Sequence, residues 1–207
     1  MTYARNVGLS ASEDRIEKLI AERLQPGADK AEIDARIWDL FGEEWTVMFT
    51  DLAGFSSGVA SFGIIHFLQV IHESQRLLIP CIDSHDGILL KIEGDSMLVI
   101  FRNVAKAMDC ARTMQHTCAS YSAKRPETEQ IRLCIGLGHG RVLRIGDRDV
   151  FGVEVNAAAK LGEDIARAHE ILVTDAVRIA AGPDARFEQI EEAPPGVGAA
   201  FRLCTPD

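Results

Sequence analysis

No stretch of this 207-residue chain approaches the about 18 uninterrupted apolar residues that a membrane span needs. Met1-Thr2-Tyr3-Ala4-Arg5-Asn6 opens it without the apolar run of a secretory leader. Positive charge is scarce: 22 Lys and Arg stand against 31 Asp and Glu, a net charge of −9. That balance argues against nucleic acid and against an acidic membrane surface as partners. The five cysteines (Cys81, Cys110, Cys118, Cys134, Cys204) are odd in number and never form a CxxC frame, so they read as buried apolar fillers in a reducing compartment. A cytoplasmic location is the expectation. The six histidines fall outside any HExxH-type zinc spacing, and His66 and His72 do not share a helix face. GxSxG, Walker A and Rossmann glycine patterns are missing too, as are internal repeats and low-complexity tracts.

What remains is 47% hydrophobic, enough for one compact domain with a small N-terminal appendage. Ile16, Leu19, Ile20 and Leu24 fall at helical spacing over 12–24, with the N-cap expected at Ser12 and Pro26-Gly27 as the stop. A second helix is predicted from about Asp29 to Gly42. Residues 1–42 therefore read as an N-terminal two-helix extension and 43–207 as the main domain. In that domain a strand over 45–49 leads to a long helix from about Ser56 to Ile79. Strands over 87–92 and 96–101 flank the hairpin signal Gly94-Asp95. A helix over 104–123, strands over 131–136 and 141–145, a helix from Val153 to about Ala166 and a strand over 171–174 follow. The order βαββαβ, with extra elements after it, is that of a ferredoxin-like α+β sandwich. Glu191–Gly196 reads as a surface loop joining two late strands.

Two aspartates sit in tight frames where strands end or turn: Phe49-Thr50-Asp51-Leu52-Ala53-Gly54-Phe55 and Lys91-Ile92-Glu93-Gly94-Asp95-Ser96-Met97. Brought together, such carboxylates form a site for hard divalent cations of the kind that carry a triphosphate. The backbone carbonyl of Leu52 could complete a second ion's shell. Taken singly, Asp51 also suits a helix cap and Asp95 a hairpin turn. The stretch Leu52–Ser56 follows a strand and opens a helix, where free N–H groups make a seat for phosphates; Gly54 lets the backbone approach closely, with Phe55 beside it.

With the third segment, Asp149-Val150-Phe151-Gly152-Val153-Glu154-Val155-Asn156-Ala157-Ala158-Ala159-Lys160, these frames resemble in order and spacing the catalytic signature of the class III nucleotidyl cyclases, over roughly residues 44–204. The resemblance implies a cyclase catalytic domain over 43–207 that closes a nucleoside triphosphate into a 3′,5′-cyclic monophosphate and releases pyrophosphate. It assigns Asp51, Leu52 and Asp95 to two divalent cations (Mn²⁺ or Mg²⁺), Lys91 and Asp149 to the nucleobase edge, and Asn156 to the ribose or the transferring phosphoryl group. Lys160 stands where the family has an arginine; it keeps the charge and loses the planar fork. A lysine that family members carry near the C-terminal strands is not evident in Gly196–Phe201. The resemblance also implies a homodimer, with Asp51 and Asp95 from one protomer facing Lys91, Asp149, Asn156 and Lys160 of the other.

Lys91–Ser96 and Asn156–Asp164 further resemble the stand-alone pyrimidine cyclases of bacterial anti-phage signalling, which make cyclic UMP or cyclic CMP for a cell-killing effector reached only through that product. UTP is favoured over CTP on this resemblance alone, because a Lys/Asp pair satisfies adenine, cytosine and uracil edges alike. Two readings stay beside it. One is an adenylate cyclase; the other is an inactive cyclase-homology module that binds nucleotide or dimerises.

Overall fold

A computed structural model describes residues 10–54 and 63–204. The N-terminal helices are α1 (Ala11–Arg23) and α2 (Lys30–Phe41). The cap of α1 is Ser10 rather than the expected Ser12. Its hydroxyl accepts from the Glu13 amide at 3.3 Å, and the Glu13 carboxylate accepts from the Ser10 amide at 2.7 Å. This reciprocal pairing requires a three-residue offset, which Ser10 and Glu13 have and Ser12 and Glu13 do not. Asp29 caps α2, its side chain accepting from the Glu32 amide at 3.1 Å.

The main domain runs β1 (Gly42–Leu52), α3 (Ile64–Ser84), β2 (Ile88–Glu93), β3 (Ser96–Phe101), α4 (Val104–Ser122), β4 (Leu133–Ile145), β5 (Asp149–Phe151), α5 (Val153–Lys160), β6 (Ile171–Thr174), α6 (Asp175–Ala181), β7 (Phe187–Ile190) and β8 (Ala200–Leu203). The strands form one sheet in the order β2-β3-β1-β4-β6-β8-β7, with β5 paired to β4. The first four strands lie in the ferredoxin-like order, all neighbours antiparallel. The expected α+β sandwich is the observed one. Among the described residues no helix is long and apolar enough to cross a membrane.

Three elements depart from the sequence reading. Helix α3 continues past Pro80 to Ser84. Proline removes one N–H from the helix ladder, but Cys81 and Ile82 beyond it are buried in the main core, and that packing carries the last turn. Residues 131–145 were expected as two strands split around Gly138-His139-Gly140. Leu133–Ile145 instead form one long strand, β4, whose glycines serve close packing. A Cβ on Gly136 would stand 2.1 Å from the Ala158 carbonyl oxygen, and one on Gly138 would stand 2.3 Å from that of Glu154. Finally, α5 ends at Lys160 and gives way to a π-helical turn over Leu161–Ile165.

Alternation along β1 divides the two faces of the sheet. Met48 and Leu52 join Val99, Phe101, Met114, Leu133 and Ile135 in the main core beneath α3 and α4. Trp45 and Val47, with Phe49 packed alongside, face the other way, with Leu98, Ile100, Val155 and Ala158 under the short α5. Asp51 has the parity of this second face, which α5 covers only in part. The N-terminal helices bury Leu19, Ile33, Ile37 and Phe41 together, with Leu143 and Ile145 of β4 packed against them. Arg141 ties α2 to β4 by donating to the Trp38 carbonyl at 3.0 Å.

Candidate active site

Asp51 lies one residue from the end of β1, and the tight β2–β3 turn, with Gly94 at φ +61°, carries Asp95 to the same corner. Burial, followed by the facing Asp95, pushes the Asp51 carboxyl up to about 6. No basic side chain among the described residues offsets that charge. Two carboxylates held together without a cation of their own are the donor set of a hard-ion site. No group of three or more His, Cys, Asp or Glu forms a metal cage among the described residues. Mg²⁺-like ions do not require one, since they are held by one or two carboxylates together with water and substrate phosphates. The residues therefore fit the group the sequence implied.

The predicted phosphate seat is partly corrected. The Ala53 N–H is not free but donates to the Arg132 carbonyl at 2.8 Å, and the Leu52 N–H is aimed at the Asp51 carboxylate, which it helps to ionise. One amide is taken by the segment that leads into β4 and the other by the carboxylate beside it. Gly54 has φ +83°, a left-handed turn suited to glycine. Phe55, the other substrate contact expected here, lies outside the described residues, as does the expected start of the following helix.

Lys91 and Asp149, the two residues that the resemblance assigned to the base edge, lie together. Lys91 Nζ is 3.2 Å from Asp149 Oδ2 and 3.2 Å from Glu93 Oε1, and these carboxylates raise its pKa. Glu93 was not singled out from sequence, although its two-residue offset from Lys91 puts both on one strand face. A cavity of about 130 Å³ opens here, lined by Phe49, Lys91, Glu93, Ser96, Leu98, Asp149, Val150, Val155 and Glu163. Ser96 was also missed. It donates to Asp51 Oδ1 at 3.3 Å and so connects the carboxylate corner to this cavity.

Asn156 and Lys160 lie one helical turn apart on the exposed face of α5. Lys160 Nζ pairs with Asp164 Oδ2 at 2.9 Å, which raises the lysine's pKa. The helix itself is fixed by Glu154. Its Oε2 accepts from Thr174 Oγ1 at 2.6 Å and from the His139 amide at 3.1 Å, joining α5 to β6 and β4. Sequence gave no signal for that anchor. The cysteines behave as fillers: burial pushes Cys110 and Cys118 up to about 12 and Cys134 to about 11.

Comparison with known proteins bears on the family and the fold. The family described as the adenylate and guanylate cyclase catalytic domain matches residues 42–193. The chain is 30% identical over 135 residues to a protein of Myxococcus xanthus named serine/threonine-protein kinase pkn2, covering 65% of this chain and 16% of that one. It is 27% identical over 203 residues to an adenylate cyclase of Mycobacterium bovis, covering 89% of this chain and 42% of the relative. The chain thus spans less than half the length of either. A solved adenylate/guanylate cyclase/hydrolase from Silicibacter pomeroyi superposes with a TM-score of 0.67 at 26% identity, over 80% of this chain and 98% of that structure.

Proposed function

The chain belongs to the adenylate and guanylate cyclase catalytic-domain family, and from that premise we propose that it cyclises a pyrimidine nucleoside triphosphate, UTP ahead of CTP, to the 3′,5′-cyclic monophosphate and pyrophosphate. The observation that carries the reading is the Lys91/Asp149 cavity, one half of a site whose other half is the Asp51/Asp95 corner of a second copy. Cyclisation forms a bond from the ribose 3′-oxygen to the α-phosphorus, breaks the bond from that phosphorus to the bridging oxygen of pyrophosphate, and releases the 3′-hydroxyl proton. It asks the protein for position and charge neutralisation more than for covalent help. Asp51 and Asp95, with the Leu52 carbonyl, would hold two divalent cations, which when bound acidify the 3′-hydroxyl and screen the phosphates. Lys91 and Asp149 present a donor beside an acceptor to the base. Asn156 orients the ribose or the transferring phosphoryl group, and Lys160, released from Asp164, neutralises a phosphate oxygen as a point charge.

The cavity's size suits a nucleobase rather than a whole nucleotide. At about 130 Å³ it falls well below the about 300–1,000 Å³ of a site that encloses a whole ligand. It suits the base alone, with the sugar and triphosphate lying outside it against the carboxylate corner of a second protomer. A homodimer with two composite sites is part of the proposal. So is a role in anti-phage signalling in the cytoplasm through a product-sensing effector, which is supported by the likeness of Lys91–Ser96 and Asn156–Asp164 to the pyrimidine cyclases. The Mycobacterium bovis relative is named an adenylate cyclase, so cyclic AMP is the competing outcome. The deciding experiment offers equal concentrations of all four triphosphates with Mn²⁺ or Mg²⁺ and identifies products by mass. Cyclic UMP or CMP in excess supports the proposal. Cyclic AMP in excess overturns the pyrimidine part, and no cyclic product with any base, on protein shown to bind nucleotide, leaves a non-catalytic module.

A further inference from the structure

Directly after α5 the backbone adopts the π-helical turn Leu161–Ile165, closed by the Ala166 N–H donating to the Leu161 carbonyl at 2.8 Å. Such turns are rare and concentrate at functional sites. Here packing on the sheet accompanies it. Gly162 is pressed so closely on the sheet that an added Cβ would stand 3.0 Å from the Phe49 carbonyl oxygen and 3.0 Å from the Gly136 nitrogen. With no side chain at 162, the turn seats against β1 and β4 and brings the next residue, Glu163, to the cavity that holds Lys91 and Asp149.

The balance of groups in that cavity is uneven. Lys91 is already shared between Glu93 and Asp149 at 3.2 Å each. Glu163 adds a third carboxylate with no basic partner among the described residues, and burial, then Asp164, raise its pKa. Hydrogen bonding from Ser96 lowers it again. A carboxylate has more acceptor capacity than one serine hydroxyl fills, so Glu163 can accept a further donor from a molecule seated in the cavity.

Resting on the reading of this cavity as the base pocket, we propose that Glu163 is a specificity-determining residue that accepts the ring N–H of uracil. Uracil offers an N–H flanked by two carbonyl oxygens. Lys91 supplies a donor to one flanking carbonyl, and Glu163, beside Asp149, a further acceptor for the N–H. Cytosine places a ring-nitrogen lone pair where uracil has its N–H, which sets it against the Glu163 carboxylate. Discrimination follows because the Glu163 carboxylate gains a charge-assisted hydrogen bond from uracil and faces a lone pair in cytosine.

The test measures the ratio of kcat/KM for UTP to that for CTP in wild type, Glu163→Gln and Glu163→Ala. A glutamine can turn its amide N–H toward the cytosine ring nitrogen, so Glu163→Gln should lower the ratio by about tenfold to a hundredfold. Glu163→Ala should lower it as well, chiefly through KM for UTP. Both substrates meet the same protein, so general damage to the fold cancels. If a variant lacks turnover, the ratio of affinities for 3′-deoxy UTP and 3′-deoxy CTP by calorimetry replaces it. An unchanged ratio overturns the role of Glu163 whatever the absolute rates. A wild type that prefers ATP overturns the pyrimidine reading instead, and the change in ratio still decides for or against Glu163.

Discussion

Ser96 Oγ donates to Asp51 Oδ1 at 3.3 Å while the same residue lines the cavity of Lys91 and Asp149. In a composite-site dimer these belong to two different active sites, so one hydroxyl joins the metal half of one site to the base half of the other. The bond favours the ionised form of Asp51. Ser96→Ala should therefore weaken Mn²⁺ binding and reduce kcat/KM by about fivefold, the worth of one ordinary hydrogen bond. Asp51→Ala or Asp95→Ala should do far more, a loss of about a thousandfold or greater, because one carboxylate cannot hold two cations against the triphosphate. Near wild-type turnover in either aspartate variant, with an unaltered circular dichroism spectrum, would refute the metal assignment.

The Asp51 shift gives a pH dependence with a definite sign. Its folded value of about 6 lies above the ordinary 3.8, so the folded chain binds this proton more tightly than the unfolded chain does. The associated stability of the metal-free protein is fully present below pH 3.8 and is lost as pH rises through about 6. Glu163, also raised, acts in the same direction. Cation affinity runs the opposite way, since the ligand is the carboxylate. Melting of metal-free protein and Mn²⁺ titration calorimetry should show the two trends crossing the same window. Asp51→Asn should flatten the stability trend; a variant that melts with the wild-type pH profile would contradict the assigned shift.

Lys160 separates charge from shape. If it serves as a point charge, Lys160→Ala should lower kcat by about a hundredfold, the scale of one transition-state donor. Lys160→Arg should hold or exceed the wild-type rate by restoring the bidentate fork. Its pairing with Asp164 at 2.9 Å adds a check: Asp164→Asn frees the lysine, and kcat should not fall. Equal activity in Lys160→Ala and wild type would remove Lys160 from the chemistry.

The sequence was most legible where periodicity or a local frame decides the structure. The hairpin at Gly94-Asp95, the strand Ile171–Thr174 and the paired helices before Gly42 follow from alternation, turn residues and caps. The meeting of Lys91 with Asp149, 58 residues apart in the chain, followed from family resemblance and not from any local rule. Contacts that depend on tertiary packing were hidden. Nothing near Glu154 indicates that its carboxylate bridges β4 and β6, and glycines at alternate positions of β4 resemble a turn until the helix they admit is seen. The π-helical turn was equally opaque, because it accompanies the close packing of Gly162 on β1 and β4, a tertiary contact.

Those glycines supply a structural test of how α5 is held. A methyl group at Gly138 would stand 2.3 Å from the Glu154 carbonyl oxygen, a contact that only a shift of the helix can relieve. Gly138→Ala should destabilise the fold by about 1–3 kcal/mol or more through overpacking, and it should move Asn156 and Lys160 with the helix. Thermal unfolding and kcat should then fall together. Full stability in Gly138→Ala would mean that α5 sits farther from β4 than described.

The last prediction concerns assembly. If Asp51 and Asp95 act with Asn156 and Lys160 of a second protomer, each site draws one half from each chain. Asp51→Ala spoils the metal half and Asn156→Ala the other half, so either homodimer has two damaged sites. In a mixed dimer both lesions can fall on the same composite site, leaving its counterpart intact. Random exchange of equal amounts gives mixed dimers in about half of cases, each with one good site, so activity should return to about a quarter of wild type. Exchange is verified independently by co-purification of differently tagged chains. Restoration at that level establishes the composite site, and its failure in a verified mixture would place the whole reaction within one chain, against the homodimer proposed here.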